Sequence, residues 1–485
     1  MTGLEWITGL VYLIASTMFV VGLHQMRSPS SARRGNLLSA AGMVLAIVAT
    51  FVYAAVTFGG NWIGWTALAV GLLLGGAFGA VSARQVKMTD IPQLVSMFNA
   101  VGGGAAAAVA FADFVHRIAE TSSAAAGTGS GDGRIELTVS IPIVLDVLIG
   151  AITLSGSVIA AGKLQGIIPG KPIVFPGSRL LNVLMAIIAV VAAIFTIVSP
   201  PSALTLSILL VAALAIGVLM VLPIGGADAP VVVSLLNAFT GLAVAMAGFV
   251  IDNQAMIIAG ALVGAAGTIL TLQMATAMNR SVLSIIIGGF GTGDAAAPTG
   301  GPGADAAGVR QISADDVGIQ LAYARHVMIV PGYGLAAAQA QHEIAELAKI
   351  LTDQGIDVKY AIHPVAGRMP GHMNVLLAEA NVPYTQMLQL EEANPAFDTC
   401  DVALVVGAND VTNPAARRPG NAVSGMPILD VDHAKSIVVV KRSMSPGYAG
   451  LDNELFSNAK TGMLFADAKG GLADIITSVK EYVAN

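Results

Sequence analysis

The chain has 485 residues, of which 55% are hydrophobic and 11% charged, with a mean hydropathy of +0.76; soluble domains carry about 25% charged residues, so an ordinary soluble enzyme is excluded. Charge is also unevenly spread, with 20 charged residues in the first 280 and 34 in the last 205, where acids outnumber bases 21 to 13. That contrast predicts a membrane domain joined to an acidic soluble domain. No basic face for nucleic acid is present, and the single cysteine, Cys400, excludes a disulfide framework and a cysteine metal site.

In chain order, nine stretches approach the roughly 20 apolar residues that cross a bilayer: 4–23, 37–57, 62–82, 91–115, 137–161, 180–198, 203–222, 230–251 and 255–275. The first lacks the basic flank of a signal peptide and runs straight into further apolar segments. An odd number of spans puts the termini on opposite sides. Nine of the eleven Lys and Arg residues up to Arg280 fall in alternate loops, and the other set holds only Arg117 and Arg134. Positive charge collects on the cytoplasmic side, so the N-terminus is expected outside and the soluble domain in the cytoplasm. Trp6, Trp62 and Trp65 stand at outer span ends, as interfacial anchors do.

Glycine runs at 71–76 and 102–104 permit close helix contact. Asn99, Asp146 and Asn237 are polar groups at depths where lipid penalises them. Such groups either bond neighbouring helices or mark an ion or proton path.

Residues 288–308, GGFGTGDAAAPTGGPGADAAG, have the composition of a flexible linker. The expected organisation is a membrane domain over 1–287, that linker, and a nucleotide-binding domain over 309–485. In the last of these, 326–330, 358–362, 402–406, 437–440 and 463–465 read as buried strands, with helices such as 336–351 and 472–482 between them. The expected fold class is a polytopic α-helical membrane domain of about nine spans followed by an α/β Rossmann-like domain with a parallel six-stranded sheet.

The first strand runs into Pro331-Gly332-Tyr333-Gly334-Leu335-Ala336-Ala337, a G-x-G-x-x-A turn opening a helix. One glycine allows the tight turn, the second a close backbone approach to a dinucleotide, and Ala337 close packing of helix on strand. An NAD site places an acid at the end of the second strand for the ribose hydroxyls; this chain has Ile362-His363-Pro364 there. Lys441-Arg442, after the 437–440 strand, offers cations for a phosphate. A transporter or channel gated by a dinucleotide-sensing Rossmann domain is compatible with the same features.

Several longer stretches narrow the choice: His363-Pro-Val-Ala-Gly-Arg368-Met-Pro-Gly371, Gly407-Ala-Asn-Asp410, Lys441-Arg-Ser-Met444 with Gly447-Tyr448, and Gly225-Gly-Ala-Asp228. Over essentially the whole chain these resemble the β subunit of proton-translocating NAD(P)+ transhydrogenase. The resemblance implies NADP(H) bound by this chain and NAD(H) by a separate α subunit, a dimer of αβ units in a lipid bilayer, the bacterial inner membrane as location, and no metal or flavin. Direct hydride transfer between NADH and NADP+ would be coupled to inward proton movement. Carried over by position, the nucleotide site would comprise Gly332, Tyr333, Gly334, Ala336 and Ala337, then His363, Val365, Ala366, Gly367 and Arg368. Gly407, Asn409 and Asp410 would follow, and a lid holding Lys441, Arg442, Gly447 and Tyr448. Asp410, Asn99, Asn237, Asp228 and Arg280 match positions tied to coupling and the proton path. The best-known members carry a histidine at the position of Asn99, and asparagine does not titrate near neutrality as histidine does. A histidine on the α subunit's spans is the expected relay.

Overall fold

The computed structural model describes residues 3–26, 29–57, 59, 62–87, 90–128, 135–169, 172–225, 228–278, 281–287, 309–367, 371–419, 423–445, 447, 449 and 451–483. The expected linker and the candidate residues Arg280, Arg368 and Tyr448 lie outside them. The chain divides into two compact units.

In the first part of the chain the helices are α1 (Gly3–Gln25), α2 (Pro29–Thr57), α3 (Trp62–Gln85), α4 (Ile91–Thr128), α5 (Leu137–Leu164), α6 (Ser178–Val198), α7 (Ala203–Val221), α8 (Ala229–Val250) and α9 (Gln254–Ala277), with the short α10 (Val282–Ile287) after them. Among the described residues, the first nine are long and apolar enough to cross a membrane. Small residues set the packing, because without a hydrophobic drive between helices in lipid, contact depends on backbones approaching closely. A Cβ on Gly150 of α5 would lie 2.5 Å from the Gly103 carbonyl of α4, and one on Gly241 of α8 would lie 2.3 Å from the Gly264 amide of α9. The two glycine runs read from the sequence behave differently. Gly102, Gly103 and Gly104 meet other helices, whereas Gly71, Gly75 and Gly76 of α3 have no atom within 4 Å of an added Cβ.

The remaining elements are α11 (Ala314–Ala322), β1 (His326–Pro331), α12 (Tyr333–Ala337), α13 (Gln341–Asp353), β2 (Asp357–Ile362), α14 (His372–Glu379), β3 (Met387–Gln389), α15 (Leu390–Phe397), β4 (Val402–Val406), β5 (Ser436–Lys441), β6 (Thr461–Phe465) and α16 (Ala468–Val483). The strands form one six-stranded sheet in the order β3-β2-β1-β4-β5-β6, and every pairing is parallel. Helices cover both faces, which is why β4 is buried at all five positions and reads as an unbroken apolar run. On one face Phe397 of α15 packs with Val330, Val405 and Val439. The helix expected over 336–351 is two helices. α12 ends at Ala337, Gln339 takes φ 52°, and α13 begins at Gln341.

Candidate functional site

Strand order reverses between β1 and β4, and in a sheet of this kind a ligand binds outside the carboxyl ends of the strands at that switch point. The glycines of the first turn lock the two strand ends together. The Gly332 amide donates to the Val406 carbonyl and the Gly334 amide to the Gly407 carbonyl, both at 2.9 Å. An added Cβ on Gly332 would come within 2.3 Å of the Ala408 Cα, so close backbone approach here is first an approach to the β4 loop. Ala337, expected to allow helix–strand packing, is exposed. Ala336 before it is 1% exposed, and α12 lasts only five residues before the chain turns.

At the end of β2, His363 is 1% exposed. Its Nδ1 accepts from the Val365 amide at 3.2 Å, so Nε2 carries the hydrogen and donates to the Pro427 carbonyl at 2.7 Å. Burial pushes its pKa down to about 4, so near neutrality it is an uncharged bridge between the β2 loop and the segment at Pro427. Ala366 is buried in the same turn, its amide donating to the His363 carbonyl at 3.0 Å. Gly367 has φ +105°, and a Cβ there would meet His372 Nδ1 at 2.4 Å, so both conformation and space require glycine. The Tyr333 and His372 rings lie 6.4 Å apart at 51°, which brings the first turn and the start of α14 together.

The ends of β4 and β5 supply the polar groups. Asn409 is held by its carbonyl, which accepts from Asn453 Nδ2 and Thr412 Oγ1, each at 2.9 Å. Its side-chain Oδ1 is buried with no partner among the described residues. Asp410 Oδ2 accepts from the Ala449 amide at 3.0 Å, and a Cβ on Gly447 would strike the Asp410 carboxylate at 2.4 Å. Lys441 donates to the Ser445 carbonyl and lies 5.2 Å from the centroid of the Phe456 ring. Burial lowers its pKa, and the negative charges of Asp410 and Asp452 oppose that shift. Arg442, next in the chain, is exposed. Sequence pattern alone did not reveal Asn453 or Phe456. Both are buried at 6% or less and reach the site from far along the chain, where no periodicity or local motif marks them.

The cations here fit an anionic nucleotide, and the orphaned Asn409 oxygen, an acceptor, fits a hydroxyl or amide donor of one. The edge carries an orphaned amide oxygen at Asn409, cations at Lys441 and Arg442, and a neutral imidazole where β2 ends. A family model described as NAD(P) transhydrogenase beta subunit matches residues 8–478. The chain is 46% identical over 474 residues to NAD(P) transhydrogenase subunit beta of Rhodospirillum rubrum, covering 98% of this chain and 99% of the relative. A second relative with the same name, from a designated strain of that species, matches at the same 46% identity over the same shares.

The chain belongs to the NAD(P) transhydrogenase β-subunit family. Membership implies nicotinamide-nucleotide binding, an α-subunit partner and a membrane setting, and it places the chain with transhydrogenases rather than with ligand-gated transporters.

In the helical unit of this transhydrogenase subunit, Asn99 and Asn237 come to one level. Asn99 is 4% exposed and its Nδ2 donates to the Val233 carbonyl at 3.3 Å, while Thr240 Oγ1 donates back to the Asn99 carbonyl at 3.3 Å. Asn237 lies one turn from each of Val233 and Thr240 on α8, hence on the face turned to Asn99. Asp228 directly precedes α8.

Proposed function

We propose that this chain binds NADP(H) in its C-terminal α/β domain, 309–485, and couples hydride exchange with NADH on an α subunit to inward proton movement through its membrane domain, 1–287. The single observation that carries the reading is the pair of cations at the end of β5, Lys441 and the exposed Arg442, with no carboxylate closing β2. A carboxylate at the β2 end would repel a 2′-phosphate, and charge-assisted bonds from Lys441 and Arg442 would hold one. Lys441 keeps hydrogens for this while bonded to Ser445, since its ammonium has three donors.

When bound, the nicotinamide supplies the carbon that accepts or gives hydride. The chain's own residues bind, align and gate. Gly332, Gly334 and Gly407 close the crevice floor, Tyr333 stands over α14, and His363, Val365, Ala366 and Gly367 shape the β2 side, with Arg368 next in the sequence a candidate to bind the nucleotide. Direct hydride transfer needs proximity and orientation and no general base. The segment 441–448, with Gly447 against Asp410, acts as a lid whose opening exchanges nucleotide. A charge change at Asp410 would alter its bond to the Ala449 amide and so the lid. Asn99, Asn237, Asp228 and Arg280 would tie proton movement to that event.

The loop charges support an outside N-terminus and a cytoplasmic C-terminal domain; the composition of 288–308 supports a linker between the two parts, and the family resemblance supports a dimer of αβ units in a bacterial inner membrane. One charge crossing 100 mV is worth about 2.3 kcal/mol, and about 1.4 kcal/mol is a factor of ten, so one proton shifts the product ratio roughly fiftyfold per 100 mV towards NADPH. Reconstitution with an α subunit in sealed vesicles tests this. NADPH formation from NADH should rise with an imposed inward proton gradient and fall when the gradient is collapsed; indifference to the gradient would reject the coupling.

A further inference from the structure

Asp146 has no part in the function proposed above. It sits in α5 with no exposed surface, and neither carboxylate oxygen has a hydrogen-bond partner among the described residues. Nine residues separate it from Leu137, roughly 14 Å along the helix at about 1.5 Å per residue. An acid at such depth with no partner is costly, and ionisable groups kept there mark ion or proton routes.

The surroundings give it a direction. Asp146, Gly150, Thr153 and Ser157 recur at spacings that form one face of α5, and all four are buried. That face meets α4: a Cβ on Gly103 would lie 2.7 Å from the Thr153 Cβ, and Ser96 Oγ donates to the Ser157 carbonyl at 2.9 Å. The stripe therefore descends to the level of Ser96, one turn from Asn99. Ser157 Oγ also has no partner among the described residues. Towards the Leu137 end, Pro142 lacks an amide hydrogen and leaves the Thr138 carbonyl without its in-helix donor.

The titratable groups around Asp146 are few. On α4, Asp113 is paired with Arg117 at 2.6 Å, and His116 and Glu120 are exposed towards the outer end of the apolar span. Helix α6 carries only Arg179, α7 and α8 carry none, and α5 itself adds only Lys163 at its far end, donating to the Leu222 and Ile224 carbonyls. Asn99 and Asn237 do not titrate.

We infer that Asp146 is the proton-binding residue of this chain's pathway. A carboxylate oxygen takes a proton from hydronium arriving at the Leu137 end, forming an O–H bond and leaving water. The carboxyl then gives up a proton towards the Asn99 level, the hydroxyls of Thr153 and Ser157 being the relaying groups on that face, each accepting one proton and releasing another; this restores the carboxylate, and no electrons move. The inference rests on the proton translocation proposed above.

The test uses the full enzyme with its α subunit in sealed vesicles, comparing wild type, Asp146→Asn and Asp146→Glu. Initial proton flux during hydride transfer should fall at least tenfold in D146N and keep at least a third of its value in D146E, with NADP+ binding within twofold in both. The infrared difference spectrum between two pH values should show a carboxyl band that is absent from D146N and shifted in D146E, a change that a purely structural role would not produce. Wild-type flux in D146N, or an unaltered band, overturns the assignment of Asp146. Should D146N fail to assemble, an unshifted band in D146E overturns it equally. Wild-type hydride transfer with no proton flux would instead overturn the coupling itself.

Discussion

Gly334 and Gly407 meet backbone to backbone: the Gly334 amide donates to the Gly407 carbonyl at 2.9 Å, and a Cβ on Gly407 would lie 2.4 Å from the Gly334 Cα. The contact ties the turn after β1 to the turn after β4, across the point where strand order reverses. Gly407 also has φ +69°, a conformation that side chains resist.

Gly407→Ala should therefore destabilise the C-terminal domain by about 2 kcal/mol or more, combining backbone strain with overpacking against atoms that cannot yield. Thermal unfolding of the purified chain checks this. A change within about 0.5 kcal/mol, the range of ordinary surface substitutions, would contradict the close contact.

Arg442→Ala removes the exposed cation at the end of β5. If it clamps a 2′-phosphate, KM for NADP+ should rise about ten- to a hundredfold, since hydrogen bonds to charged groups contribute about 1.5–3 kcal/mol. The kcat at saturation should change by less than about threefold. Equal losses in both would argue for a role in the transfer step instead.

His363 gives a pH signature. Its folded pKa is lowered from 6.5 to about 4, chiefly by burial, so the unfolded chain binds a proton at a higher pH than the folded one. The stability this contributes is whole above 6.5 and is lost as pH falls through about 4, a difference of about 3 kcal/mol at about 1.4 kcal/mol per unit. In His363→Gln the fall in stability over that window should be shallower by about that amount. Identical slopes in the two proteins would mean that His363 charges freely in the fold.

Asn453 holds the Asn409 loop from a distance. It is 6% exposed, its Nδ2 donates to the Asn409 carbonyl at 2.9 Å and to Thr412 Oγ1 at 3.3 Å, and its Oδ1 accepts from the Leu455 amide at 2.9 Å. Asn453→Ala should lower stability by about 1–3 kcal/mol, because buried partners lose their bonds. It should also weaken nucleotide binding without touching nucleotide, and wild-type affinity in a destabilised variant would separate that loop from the site.

Much of this was legible in the sequence because apolar length and apolar runs report burial directly. Nine spans and five of the six strands stand out on those grounds. The sixth, Met387–Gln389, is a three-residue edge strand of mixed burial, too short to show a period. The break between α12 and α13 was hidden for the opposite reason: Ala336-Ala337-Ala338-Gln339-Ala340 has high helix propensity throughout, and the tertiary structure overrides it with a left-handed Gln339. The glycine motif was found, but its packing partner on β4 was not, since no local pattern tells a glycine which backbone it will touch.

The central claim is tested most directly by titrating the purified full-length chain, in detergent and without an α subunit, with NADP+, NADPH, NAD+ and NADH by calorimetry. Both phosphorylated nucleotides should bind at least about 100-fold more tightly than their unphosphorylated counterparts, the discrimination that two charge-assisted bonds to one phosphate provide. Equal or tighter binding of NAD(H), or no binding of any of the four, would contradict the assignment of the NADP(H) site to Lys441, Arg442 and the β4 edge.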